Sequence, residues 1–87
     1  LVNPYTDEKE FRTFSCNVDD NELVWHRDKT DRIVTVVEGE GWQYQADNDL
    51  PIELKEGDTF FIPAMTYHRI LKGKSDLKIK IKENLDV

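Results

Sequence analysis

Turn signals recur through this chain at short, even intervals. Gly39, Asn48, Gly57, the Pro63 corner and Gly73 stand six to ten residues apart, and no apolar pattern of helical period runs between them for ten residues or more. Segments that short suit strands of about four to eight residues rather than helices. The spacing therefore predicts an all-β, antiparallel sandwich or barrel.

The residues between the turns support this. Phe14, Cys16 and Val18 alternate with Thr13, Ser15 and Asn17, the period of a half-buried strand over 11–18, which Asp19-Asp20-Asn21 ends. Glu22 to His26 is expected to be extended, and 27–31 to be a polar loop. From Ile33 to Val37 every residue is Val, Ile or Thr, and β-branched side chains favour strand over helix. Trp42, Tyr44 and Ala46 alternate with Gln43 and Gln45 on the next strand, before the turn at Asp47-Asn48-Asp49. Further strands are expected over 51–54, 59–62, 67–71 and 77–81. Residues 1–10 read as a tail or lead-in, 11–84 as one domain and 85–87 as a C-terminal tail.

A chain of 87 residues supports one hydrophobic core, and its small size leaves sheet edges and apolar side chains such as Trp25 and Val37 for a partner to cover, so a homodimer is expected. The formal charge of −6 repels phosphate backbones and argues against nucleic acid as a partner. Lys78, Lys80 and Lys82 alternate with Leu77, Ile79 and Ile81, which reads as the solvent face of a strand, with an edge position open. No apolar run approaches the roughly 18 residues needed to cross a bilayer as a helix, so no membrane partner is expected. The single cysteine, Cys16, fits a fold without disulfides and a cytoplasmic location.

The chain has two histidines, His26 and His68, each beside a different expected strand. Gly57, Pro63 and His68 fall on the spacing glycine, five residues, proline, one residue, glycine, two residues, histidine, with Met65 in place of the second glycine. His26 and Gly39 fall on histidine, any residue, histidine, three or four residues, glutamate, six residues, glycine, with Asp28 in place of the second histidine and Arg32 in place of the glutamate. These spacings, with 17 residues between Gly39 and Gly57, resemble the two motifs of a small single-domain cupin, a double-stranded β-helix or jelly-roll barrel. The resemblance covers roughly residues 21–83.

In metal-binding cupins the corresponding residues converge inside the barrel on iron, manganese, nickel, zinc or copper. The resemblance implies metal ligation by His26, Asp28 and His68 and, as cofactor, a divalent ion such as iron, manganese, nickel or zinc. Two imidazoles and one carboxylate match the donor set of facial-triad iron(II) sites. Trp42 and Tyr44 are candidates to line a ligand cavity, with the plain barrel core as the alternative. Arg32 is the departure with most consequence, because a guanidinium only donates hydrogen bonds and repels a metal cation. Three placements are open: paired with Asp28, pointing inward as an anchor for a carboxylate or phosphate of a small ligand, or facing solvent with Asp31 turned in. Strict alternation forbids Asp31 and Arg32 from both facing inward. Two functional readings follow. One is a protein that holds a divalent metal or small polar ligand, as a metal-dependent enzyme if it is one, with a small anionic substrate oriented by Arg32. The other is a metal-free cupin that acts as a small-ligand binding or interaction module, with Arg32 paired to Asp28.

Overall fold

The computed structural model describes residues 4–84. The tail expected at 85–87 and the first three residues of the lead-in lie outside them. Eight strands are present among the described residues: β1 (Tyr5–Glu8), β2 (Phe11–Phe14), β3 (Asp31–Glu38), β4 (Gln43–Ala46), β5 (Ile52–Glu53), β6 (Thr59–Ile62), β7 (His68–Leu71) and β8 (Leu77–Asn84). They form a five-stranded sheet in the order β1-β2-β8-β3-β6 and a three-stranded sheet in the order β5-β4-β7, with every pairing antiparallel. Part of the segment read as a lead-in is therefore the outermost strand of the larger sheet.

Alternation decides which side chains meet between the sheets. On β3, Val34 and Val36 are buried while Ile33 and Val37 are exposed. On β8, Leu77 and Ile79 are buried, and Lys80 and Lys82 on the other face are exposed. The lysine row faces solvent from an inner strand rather than an edge, since β8 pairs with both β2 and β3. Phe14 and Ile62 complete the larger sheet's contribution, and Tyr44 on β4 and Trp42 just before it close the core from the smaller one. Trp42 is fully buried, and its indole Nε1–H donates to the Ser75 carbonyl at 2.5 Å.

Two local expectations need correction. The strand expected through Val18 stops at Phe14, because the Ser15 hydroxyl accepts from the Asn17 amide at 3.0 Å and the Val18 amide bonds back to the Ser15 carbonyl, closing a turn. The piece expected to be extended from Glu22 starts as a single 3-10 turn, Asp20–Glu22, because the Asp19 side chain caps it by accepting from the Asn21 amide.

The corner between β6 and β7 positions the site. Pro63 ends the β6 ladder, and Met65 adopts φ 64°, the left-handed region. There its amide donates to the Asp28 carbonyl at 2.7 Å, while the neighbouring Ala64 amide donates to Asp31 Oδ1 at 2.7 Å. This explains why glycine suits the position: a side chain in that conformation costs roughly 1–2 kcal/mol. Glycine would recover that cost less its own greater chain entropy. Met65→Gly is expected to raise the unfolding free energy by about 0.5–1 kcal/mol in urea denaturation, whereas Met65→Val is expected to lower it.

Candidate functional site

His26 and His68 meet through the backbone before they meet through their rings. The His26 amide donates to the His68 carbonyl at 3.0 Å and the His68 amide to the His26 carbonyl at 2.9 Å, an isolated antiparallel bridge outside the named ladders. A directly opposed pair puts its side chains on one face. The two imidazole centroids accordingly lie 4.4 Å apart. Asp28, two residues beyond His26, returns to the same side and is held by the Met65 bond to its carbonyl.

One nitrogen from each imidazole and one Asp28 carboxylate oxygen lie within 4.8 Å of one another. Backbone carbonyls decide which nitrogens these can be. His68 Nδ1 lies 2.8 Å from the Thr66 carbonyl and His26 Nδ1 lies 3.0 Å from the Val24 carbonyl. A carbonyl only accepts, so each Nδ1 carries the proton and each Nε2 presents a lone pair. His68 Nε2 then faces Asp28 Oδ2 at 3.4 Å, acceptor against acceptor. Asp28 Oδ2 is buried with no hydrogen-bond partner among the described residues. Two lone pairs in that arrangement call for a donor or a cation between them. His68 is only 4% exposed, while His26 is exposed, so the cluster sits where the barrel interior opens to solvent.

Arg32 belongs to the inward row of β3 with Val34 and Val36, and Asp31, on the other face, is held by the Ala64 amide. Arg32 points inward and lies beside Asp28, which excludes the solvent-facing placement, and Asp31 does not take Arg32's place. Arg32 Nη1 lies 3.6 Å from Asp28 Oδ1 and Nη2 lies 3.6 Å from Glu83 Oε1. Both distances exceed a hydrogen bond. At an effective dielectric of about 20, an ion pair at 3.6 Å attracts by roughly 5 kcal/mol. Desolvation costs each buried ion several kcal/mol, so the pair only about breaks even.

The barrel interior is a cavity of about 280 Å³. His26, Asp28, His68, Arg32 and Tyr44 all line it; Trp42 does not, and belongs to the packed core behind. The Tyr44 ring packs in tilted contacts, its centroid 4.9 Å from Phe60 and 5.8 Å from His68, and burial pushes its phenol up. The lining also includes Arg12, which the sequence reading missed. Arg12 stands two residues before Phe14 on the same inward row, so the alternation already carried the signal. Its Nε and Nη2 bond both oxygens of Asp7, at 2.8 and 3.1 Å, and its guanidinium lies 3.7 Å over the Tyr5 ring. That pairing holds the Asp7 carboxyl below its usual range. Trp25 and Tyr67 alternate to the outer surface, under the guanidiniums of Arg69 and Arg27.

No protein-family model and no curated protein matches the chain. Among solved structures it is similar to a cupin domain from Bordetella pertussis, with a TM-score of 0.58 and 14% identity over 97% of this chain and 98% of that one. It is also similar to a cupin-2 domain containing protein from Shewanella frigidimarina, with a TM-score of 0.55 and 23% identity over 91% and 76%. The chain has the cupin fold. A chain from the crystal structures of the DMSP lyases RdDddP and RnDddQII matches with a TM-score of 0.69 and 20% identity over 82% of this chain, which spans about a third, 34%, of that one. Identities this low carry the fold and not the chemistry. The chemistry has to be read from this chain's own side chains.

Burial pushes the His68 imidazole below the ordinary value of 6.5, against the upward pull of its bond to Thr66 and of nearby Asp28. The folded state thus resists protonation more than the unfolded chain does. His68's contribution to stability is complete above pH 6.5 and is lost as pH falls from there through the lowered folded value. An NMR titration is expected to place His68 below 6.5. In urea titrations between pH 7.5 and 5, His68→Gln is expected to flatten the acid-side loss of stability.

Proposed function

We propose that this cupin holds a divalent metal through His26, Asp28 and His68 and exposes it to a small anionic ligand in the barrel, oriented by Arg32. The observation that carries the proposal is the convergence of two imidazole lone pairs on a buried carboxylate oxygen that has no hydrogen-bond partner among the described residues. The donor set fits such an ion: both histidines have their second nitrogen fixed by a carbonyl, as metal-ligating histidines ordinarily do. Three protein donors leave coordination positions for substrate or water. A divalent ion bound here would supply Lewis acidity and, if it is iron(II), a site for oxygen. The residues' own part is to hold the donors in place, to keep His68 neutral through burial, and to offer an anion the Arg32 guanidinium.

Untagged protein titrated with iron(II), manganese, nickel and zinc is expected to bind close to one equivalent, measured by elemental mass spectrometry after desalting. His26→Ala and His68→Ala should each weaken binding by at least about tenfold. The metal-free alternative draws on one specific observation, the contact of Arg32 with Asp28. It requires that the parent bind no metal and that Arg32→Glu, which supplies a fourth donor, gain it. If the parent already binds, the same variant should bind more tightly, because a repelling cation is exchanged for a ligand.

A homodimer and a cytoplasmic location belong to the same proposal. The location rests on the single cysteine. The dimer is supported by β6, an edge strand whose Phe61 is 56% exposed next to exposed Ile33 across the ladder. Light scattering is expected to give twice the chain mass, and Phe61→Lys to shift it to the monomer. A monomer at millimolar concentration would rule the dimer out.

A further inference from the structure

Arg32 is a guanidinium whose side chain is 16% exposed, and among the described residues it makes no hydrogen bond. Its nearest carboxylates, Asp28 and Glu83, stand at 3.6 Å, and its Nε is buried without a partner. A buried guanidinium with five donors and only loose ion contacts is incomplete. Arg12, by contrast, is locked on both oxygens of Asp7, and that pair cancels its own charge. Glu22, the other carboxylate on the cavity lining, contacts neither guanidinium among the described residues.

The charges around Arg32 set a condition on what can complete it. Asp28 and Glu83 against Arg32 leave one formal negative charge in the cluster. An anion entering beside them is repelled. A divalent ion on His26, Asp28 and His68 reverses the sign to one positive charge, which one monoanion neutralises and a phosphate dianion exceeds. Arg12 and Glu22 apart, the rest of the cavity wall is largely apolar, with Phe14, Val34, Phe60, Ile62, Ile79 and Ile81. The cavity volume of about 280 Å³ lies just under the roughly 300–1,000 Å³ usual for small-molecule pockets.

Resting on the metal reading above, we infer that the ligand class is a small monocarboxylate with an apolar body, and that it binds only when the metal is present. The acid group lies within reach of both the metal and Arg32, which matches a carboxylate with its fork. The apolar body fills the barrel. Metal and acid therefore bind cooperatively, each tightening the other by the same factor.

The test is calorimetry on the full chain with zinc, hexanoate, hexanamide and inorganic phosphate. Zinc is titrated first, alone. Hexanoate is then expected to bind zinc-loaded protein at least about tenfold more tightly than chelator-stripped protein, with hexanamide at least about tenfold weaker than hexanoate. Zinc should bind tighter in excess hexanoate by the same factor. Arg32→Met should lose about tenfold on hexanoate while keeping or gaining zinc affinity, and Arg32→Lys should fall between. If zinc binds normally but hexanoate shows no preference for the loaded protein, or phosphate binds better, the ligand inference falls and the metal site stands. If zinc itself does not bind, both fall.

Discussion

The site depends on one pair of backbone hydrogen bonds, those exchanged between His26 and His68. His26 lies in no regular strand, and this bridge is its attachment to β7. Two backbone bonds of this kind are worth only about 1–3 kcal/mol together, yet they fix the relative register of two segments more than forty residues apart. A slip of one residue in either segment would put Trp25 or Tyr67 where a histidine stands and turn that histidine to the other face. The Met65 amide on the Asp28 carbonyl fixes the third donor in the same way, at the expense of a residue held in the left-handed region.

Asp28 links two chemistries that would otherwise compete. Its Oδ1 faces the Arg32 guanidinium and its Oδ2 faces His68 and the cluster. A carboxylate has lone pairs enough for both, so the contact with Arg32 leaves the oxygen that faces His68 free. Arg32 lowers the site's attraction for a cation and adds attraction for an anion.

The strands were legible because their signals are local. β-branched runs, period-two alternation and turn residues act within a few positions, and β3, β4, β6 and β7 lie within a residue or two of the segments expected. Two misplaced boundaries fell where a polar side chain competes with the ladder, at Ser15 and Asp19, while β1 was missed and β8 runs three residues past the 77–81 expected. In the site, the cupin resemblance implied His26, Asp28 and His68 as ligands, and the structure brings their donor atoms together. It could not choose among the placements of Arg32, because that choice turns on Asp31 meeting the Ala64 amide across the corner. Arg12 escaped notice although its row was read, since an arginine in an apolar row is intelligible only once Asp7 and Tyr5 are known to cover it. Trp42, which the sequence offered as cavity lining or core, lies in the core because its indole N–H has the Ser75 carbonyl to meet.

The sequence by itself determined the secondary structure class, the inward rows and the donor types available, all of which follow from side-chain sterics and spacing along the chain. Only the tertiary structure decided which donors meet, which nitrogen of each histidine is free, and what Arg32 faces. Those are matters of hydrogen bonds and charge between segments distant in sequence, and a carbonyl at Thr66 or an amide at Ala64 acts through its position in space, which no local pattern encodes.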